Sequence, residues 1–246
     1  MGNVGARFLL ESIGWSFPSE EDLERFTKPE AKRMIIVISH TTYWDFILLL
    51  LIKMSDERMK EHLYIAMKPQ PFRWFGWFLR PLGCIPATRK EDSGKGFVDK
   101  TIKQFQGENV RLVVSPEGTM KASPWKSGYY HLVKGMKSSI MVSGLDYERK
   151  TIYLGPIHPW KEIRKWSKDK LEKTLQTEMG NVVPLYPDQS YTPILRPYCP
   201  EKISAIQPFI LILTIIVVIL IIAIIVLLIR SPKDQEGKLR RPFEVD

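Results

Sequence analysis

Arg33–Asp45 reads RMIIVISHTTYWD, a short apolar run rich in β-branched residues that ends in a polar step. A run of this kind, bounded by charge on one side, is typical of a buried strand. The apolar stretch Trp44–Met54 follows, and its length favours a helix. The order of strand, polar turn and helix predicts the beginning of an α/β domain.

The same alternation recurs further along the chain. Strands are predicted over residues 63–68, 84–89 and 110–115, helices over 72–79, 95–106 and 128–137, and two more strands on either side of the charged turn Glu148–Lys150. Such alternation forms βαβ units. We therefore expect an α/β fold with a mostly parallel or mixed sheet and helices on both faces. The domain is predicted over residues 33–182. It follows an N-terminal segment (1–32) and ends in a covering helix, Lys161–Met179.

The C-terminal part of the chain differs in composition. Residues 183–207 are rich in proline and predict an extended linker. Phe209–Ile229 contains no charge, glycine or proline, and as a helix it would be about 32 Å long. The sequence therefore predicts a transmembrane helix over residues 208–230, followed by a charged tail over residues 231–246.

Net charge and cysteine usage narrow the class of partner. The formal net charge of +9 suits either nucleic acid or an anionic membrane surface, and the predicted anchor favours the membrane and excludes nucleic acid. Cys84 and Cys199 give neither a disulfide framework nor a metal-ligand spacing, so no metal is expected. No secretory signal is evident, and we expect a single-pass C-terminal anchor with the α/β domain in the cytosol.

One histidine stands where α/β proteins place reactive groups. His40 follows the first predicted strand, and Asp45 falls in the first turn of the next helix. An aspartate that accepts a hydrogen bond from one imidazole nitrogen leaves the other nitrogen free to take a proton from an alcohol. Taken alone, the pair is equally consistent with a hydrogen-bonded structural histidine.

Two further motifs follow in order. Gly83–Arg89 reads GCIPATR and ends in an arginine, and Ser115–Thr119 reads SPEGT directly after a predicted strand. The succession of His-x4-Asp, Gly-x-Ile-x3-Arg and Pro-Glu-Gly-Thr resembles that of the phospholipid/glycerol acyltransferase family, in particular its 1-acylglycerol-3-phosphate acyltransferases. The resemblance covers residues 33–160.

The resemblance implies a role for each matching residue. His40 would be the general base and Asp45 the group that orients it, with direct attack of the acceptor hydroxyl on a thioester and no acyl-enzyme. The residues implied in substrate binding are Arg89, Glu117, Gly118 and Thr119, together with Lys126 in the lysine-x-glycine element that follows. An arginine and a glycine loop both suit a phosphate group.

The implied activity is transfer of a fatty acyl chain from acyl-CoA or acyl-carrier protein, as co-substrate, to a lysophospholipid. With 1-acylglycerol-3-phosphate as acceptor, the product is phosphatidic acid, and no cofactor is required. Two departures leave the acceptor open: Met120 and Lys121 stand where the family often has arginine, and Ser139 replaces a usual proline. The alternatives are a same-family acyltransferase with a different acceptor and an inactive, membrane-tethered lipid-binding protein.

A final segment predicts contact with lipid. Phe72–Arg80 reads FRWFGWFLR, in which aromatic side chains lie between Arg73 and Arg80. Tryptophan prefers the bilayer interface, and arginine there meets lipid phosphates. This segment therefore predicts an interfacial surface, with a plain core helix as the alternative.

Overall fold

The computed structural model describes residues 4–88 and 96–208 of the chain. One unit covers Met1–Cys199, and in the other the residues 200–208 form a helix. Arg89, the predicted span Phe209–Ile229 and the charged tail lie outside the described residues. None of the helices in the described ranges has the length and apolar character needed to cross a membrane.

A sheet of six strands forms the centre of the described domain. The strands are β1 (Arg33–Ile38), β2 (Leu63–Met67), β3 (Cys84–Pro86), β4 (Val110–Val114), β5 (Ser139–Asp146) and β6 (Thr151–Leu154). Their order is β3-β2-β4-β1-β5-β6, and neighbouring strands are parallel except for β5 and β6, which pair antiparallel. The mixed sheet confirms the predicted α/β class.

Helices connect and cover the strands. They are α1 (Val4–Ser12), α2 (Glu20–Glu24), α3 (Tyr43–Ser55), α4 (Glu57–Lys60), α5 (Phe72–Leu79), α6 (Phe97–Gln104), α7 (Gly128–Met136), α8 (Trp160–Ile163) and α9 (Lys168–Met179), with short 3₁₀ turns at Arg25–Thr27, Pro29–Ala31 and Pro187–Gln189. The prediction of a single helix over Lys161–Met179 is wrong, because α8 ends at Ile163 and α9 begins only at Lys168. Ser167 begins a new helix there, and its Oγ accepts from the Lys170 amide at 3.2 Å.

The direction of the crossovers assigns the helices to the two faces of the sheet. The chain moves one way across the sheet from β1 to β2 and from β2 to β3, and the opposite way from β3 to β4 and from β4 to β5. Because parallel crossovers are right-handed, α3 and α5 lie on one face and α6 and α7 on the other. Ile102 of α6 packs against Gly135 of α7, as two helices on one face require.

The side chains of β1 point alternately to the two faces of the sheet, because a strand has a period of two residues. Ile35 and Val37 are fully buried in a core with residues of α7 and α9. Ile36 and Ile38 line an apolar cavity on the opposite face, next to Leu49 of α3. Helices therefore cover both faces, as the sequence predicts.

Residues 183–199 pack against the domain, whereas the sequence predicts a linker there. Val183 is fully buried, and its carbonyl oxygen accepts from the Tyr147 amide at 2.9 Å. The Arg196 guanidinium forms ion pairs with Asp146 at 2.6 Å and with Glu148 at 2.5 Å. The prolines leave residues 183–199 without an α-helix or a strand, but apolar and charged side chains of this segment pack at the end of β5.

Candidate active site

The site begins where β1 ends and α3 begins. His40 lies two residues beyond the last residue of β1, at the edge of the sheet where the carboxyl ends of the parallel strands meet. Thr42 caps α3: its Oγ1 accepts from the Trp44 amide at 3.3 Å, while the Asp45 side chain accepts from the Thr42 amide. This reciprocal cap fixes the Asp45 carboxylate in the first turn of the helix.

His40 and Asp45 are within hydrogen-bond reach. The Nδ1 atom of His40 lies 3.2 Å from Oδ2 of Asp45. A carboxylate only accepts, so Nδ1 is the donor and Nε2 carries no proton in the neutral imidazole. The Asp45 side chain is 6% exposed and the His40 side chain 29% exposed. The orienting group is thus buried, while part of the imidazole remains open to solvent.

Three more donors converge on the same carboxylate. Oδ2 of Asp45 accepts from the amides of Thr41 and Thr42 at 2.9 and 3.0 Å, and Oδ1 accepts from the Tyr147 hydroxyl at 2.7 Å. Tyr147 is buried, and its pKa is raised well above the usual range by burial and by the charge of Asp45. Its hydroxyl therefore stays protonated and remains a donor to Asp45.

No motif in the sequence assigns a role to Tyr147. The residue follows β5, which runs parallel to β1, so it emerges at the same edge of the sheet as His40. Its position directly after a predicted strand was the one indication of a place in the site. Its contact with Asp45 was not predictable, because the two residues are far apart in sequence.

Glu117 lies in the loop after β4 and is 1% exposed. Its Oε1 accepts from the Tyr191 amide at 3.2 Å, while its buried Oε2 has no partner among the residues that the structure describes. Burial raises the pKa of this carboxyl to about 7, against the opposing effects of the Tyr191 amide and of His40. The influence of His40 indicates that the two side chains lie close enough to interact electrostatically.

The rest of this loop is shaped by Gly118. Its φ of +65° lies in the left-handed region, and a Cβ atom there would meet Nζ of Lys126 at 2.9 Å. Lys126 also donates its backbone amide to the Pro116 carbonyl at 2.9 Å. Thr119 is half-buried and accepts from the Lys121 amide at 3.3 Å. The glycine thus lets the exposed ammonium of Lys126 lie directly over the loop.

A second segment, residues 187–192, crosses this edge of the sheet and is called the strap below. Besides the bond from Tyr191 to Glu117, the Ser190 hydroxyl lies 3.5 Å from that of Ser39. The Gln189 amide, in the orientation that suits its neighbours, donates to the carbonyl oxygens of Met120 (2.7 Å) and Thr41 (3.2 Å). The sequence predicts a linker here and carries no signal of these contacts.

Unsatisfied polar atoms cluster around the strap. In the described part of the chain, seven buried side-chain polar atoms lack a hydrogen-bond partner. Four of them belong to residues at or next to this edge: Thr41, Ser115, Glu117 and Thr192. Buried polar groups are nearly always paired in native proteins, so these atoms need partners that the protein does not supply here, such as bound water or a polar ligand.

The structure brings together most of the predicted site residues. His40 and Asp45 are in contact, Glu117 lies within electrostatic reach of His40, and Gly118 and Lys126 adjoin Glu117. Arg89 falls outside the described residues. Over residues 4–88 and 96–208, no group of three or more His, Cys, Asp or Glu side chains could ligate a metal ion.

Comparison with known families agrees with this geometry. The acyltransferase family model matches residues 20–156, which is more than half of the 246-residue chain. The match contains β1 to β6 and every described residue of the site except those in the strap. No curated protein matches the chain. The protein belongs to the acyltransferase family and is therefore an acyltransferase enzyme.

Tyr147→Phe tests the hydroxyl that holds Asp45. We expect turnover to fall about tenfold, because a carboxylate with fewer donors holds the imidazole less firmly. Stability should fall by about 1–3 kcal/mol for the lost buried hydrogen bond. The matched control is Tyr129→Phe, which removes a buried hydroxyl that donates to Glu172 at 3.1 Å on the other face. That variant should lose stability alone, and equal loss of turnover in both would contradict the assignment.

Glu117→Gln tests the raised pKa of Glu117, about 7 in the folded protein against an ordinary value of 4.5. The folded protein binds this proton more tightly than the unfolded chain does. The protonated carboxyl of Glu117 therefore stabilises the fold fully below pH 4.5, and this stabilisation is lost as the pH rises through 7. The glutamine side chain of Glu117→Gln does not titrate, so the free energy of unfolding of that variant lacks this pH dependence. From pH 4.5 to 7, the free energy of unfolding of the wild type should fall relative to the variant by on the order of 3 kcal/mol.

Denaturant unfolding at a series of pH values measures this difference. Glu162→Gln, at an exposed position of α8, is the control for replacing a glutamate as such. A difference between wild type and Glu117→Gln that stays constant with pH would show that Glu117 titrates normally.

Proposed function

We propose that the enzyme transfers a fatty acyl chain from acyl-CoA or acyl-carrier protein to the hydroxyl group of a lysophospholipid, with 1-acylglycerol-3-phosphate as the first candidate acceptor. The observation that carries the proposal is the His40–Asp45 pair, with its open imidazole, at the edge of the sheet that also holds the Glu117 loop. Phosphatidic acid is the corresponding product.

In the proposed reaction, Nε2 of His40 takes the proton of the acceptor hydroxyl as its oxygen attacks the thioester carbonyl carbon. The carbon–sulfur bond then breaks, and the thiolate leaves with the proton that His40 returns. The Asp45 carboxylate, 3.2 Å from Nδ1, stabilises the imidazolium that exists between these steps. No covalent acyl-enzyme forms, because the hydroxyl of the acceptor is itself the nucleophile.

A phosphate group on the acceptor would find positive charge next to this pair. The ammonium of Lys126 lies over Gly118, in the loop that carries Glu117. A lysine ammonium attracts phosphate as a point charge, and a glycine permits close approach of the backbone. We assign Lys126, Gly118 and Thr119 to phosphate binding, together with Arg89.

An acyl chain would find an apolar space on the α3 face. The cavity is lined by aliphatic and aromatic side chains from β1, α3 and the N-terminal segment, and it reaches Ser39 and Asp45. Burying methylene groups in such a space is favourable by about 0.8 kcal/mol each. The cavity volume of about 40 Å³ has room for only a few methylene groups, so we assign it to a short part of the acyl chain of one of the two substrates.

A same-family acyltransferase with a different acceptor is the second candidate. Met120 occupies the position where the family often has arginine, and its carbonyl oxygen accepts from Gln189 in the strap. A smaller positive charge in this loop suits an acceptor without a phosphate. Comparing lysophosphatidic acid with neutral lysolipid and glycerol acceptors at equal concentration distinguishes the two candidates.

His40→Ala and Asp45→Asn test the mechanism directly. Loss of the general base should lower thioester-dependent acylation of lysophosphatidic acid by about 10²- to 10⁴-fold. The measurement is release of free thiol by purified full-length protein with each acceptor. Substantial activity in His40→Ala would refute the mechanism.

A matched control separates catalysis from stability in this experiment. His158 also pairs with a carboxylate, since its Nε2 lies 2.6 Å from Oε1 of Glu178, and both side chains are largely buried. Its backbone pairs with Ile140 near the amino end of β5, at the opposite edge of the sheet from His40. His158→Gln should therefore retain turnover whatever it costs in stability.

Leu49→Phe tests the acyl cavity. A larger side chain at this position narrows the space between α3 and the sheet, so the enzyme should prefer shorter acyl chains. The measurement is the ratio of rates with long-chain and medium-chain substrates, which we expect to fall about tenfold. Leu49→Ala widens the cavity and should not lower that ratio, and an unchanged ratio in Leu49→Phe would contradict the assignment.

A further inference from the structure

Exposed apolar side chains are unevenly distributed over the domain. Among the described residues, all exposed large hydrophobic side chains except Tyr191 and Leu195 belong to α1, to Ile13 just after it, to α3 or to α5. The helices of the other face, α6, α7 and α9, contribute none of them. Soluble surfaces rarely gather apolar groups in this way unless they contact a partner.

The most exposed group is on α5. Trp74 and Trp77 are both 77% exposed, and Phe75 and Phe78 are also open to solvent. Only Leu79 of this helix is buried. An eight-residue helix that presents four aromatic rings to solvent leaves a large apolar area in water, which is unfavourable until that area is covered.

Two other helices extend the same face. On α1, the residues Val4, Phe8 and Leu9 are exposed, and on α3 the exposed residues are Tyr43, Ile47 and Met54. Their spacing of about four residues places each set along one side of its helix. α1 packs against α3, and the crossover directions place α3 and α5 on the same face of the sheet. The three helices therefore lie on the same side of the sheet, and their exposed apolar side chains are together called the α1/α3/α5 face below.

The chemistry of this face matches a lipid headgroup region. Arg73 and Arg80 flank the aromatic rings of α5 and are exposed, and α5 contains no acidic residue. Tryptophan rings favour the boundary between acyl chains and headgroups, and arginine side chains there reach lipid phosphates. Tryptophan and arginine are also enriched in protein interfaces, so the choice of a lipid surface rests on the two exposed arginines and on the absence of acidic residues from α5.

The face also adjoins the site. Tyr43, 75% exposed, is the first residue of α3 and follows His40 by three positions. The apolar cavity beside Asp45 opens between this same helix and the sheet. A bilayer against the face would therefore lie next to both the imidazole and the cavity.

We propose that the α1/α3/α5 face docks on the headgroup region of an anionic bilayer, with Trp74 and Trp77 inserted at the level of the upper acyl chains. Arg73 and Arg80 contact lipid phosphates, and the His40 end of α3 lies at the membrane surface. This docking does not depend on which acceptor the enzyme uses.

Fluorescence quenching tests the position of α5. The full chain is reconstituted in phosphatidylcholine–phosphatidylglycerol vesicles that contain lipids brominated near the glycerol end of the acyl chain, which quench only nearby tryptophans. In the Trp74→Phe/Trp77→Phe variant the rings stay apolar but no longer fluoresce, so most of the quenching should disappear. The measurement needs no turnover and is independent of the proposed reaction.

The control variant is Trp160→Phe/Trp166→Phe, which removes two tryptophans that pack against the core of the opposite face. It should retain the quenching of the wild type. Undiminished quenching in Trp74→Phe/Trp77→Phe would overturn the proposal. Self-association of the wild type in detergent, abolished by Trp74→Ser/Trp77→Ser, would also overturn it by assigning the face to a second copy of the chain.

An activity ratio provides a second measurement. In Trp74→Ser/Trp77→Ser, the rate with a long-chain acceptor embedded in vesicles should fall about tenfold relative to the rate with a short-chain, water-soluble acceptor, because only the former is reached from a docked face. Equal losses with both acceptors, in a variant that keeps the unfolding midpoint of the wild type, would count against docking.

Discussion

The hydrogen bonds of the Asp45 carboxylate hold the site together. A buried carboxylate is costly unless its oxygens are paired, and here they accept from two backbone amides, one imidazole and one phenol. These partners come from the turn after β1, from the cap of α3 and from the end of β5. One side chain therefore caps a helix, orients His40 and joins two neighbouring parallel strands.

This arrangement explains why the site lies at one edge of the sheet. Parallel strands bring their carboxyl ends together, so His40 after β1, Glu117 after β4 and Tyr147 after β5 meet although they are distant in sequence. The strap then closes over Glu117 and leaves several polar atoms unpaired. The result is a rigid, fully bonded Asp45 beside a group of buried atoms that still lack partners, which suits a fixed base next to a polar ligand.

The two faces of the domain differ in what they offer to the surroundings. The α6, α7 and α9 face buries its apolar residues in the main core, whereas the α1/α3/α5 face leaves aromatic and aliphatic side chains in solvent. α3 belongs to the apolar face, and its first turn carries Asp45, which contacts His40. The proposed lipid contact and the proposed base would thus lie at one end of the same helix, next to each other.

Much of the fold and part of the site were determined by the sequence alone. Alternating apolar periods predicted the α/β class, α5 over Phe72–Leu79 and the strand that ends before His40, because these features depend on residues close together in the chain. The order of the three motifs predicted the acyltransferase family, and the family model confirms it. Only the tertiary structure decided the bond from Tyr147 to Asp45, the strap over Glu117 and the raised pKa of that carboxyl. Each of these depends on burial or on contacts between distant segments, and strand order, which local periodicity does not encode, determines which segments meet.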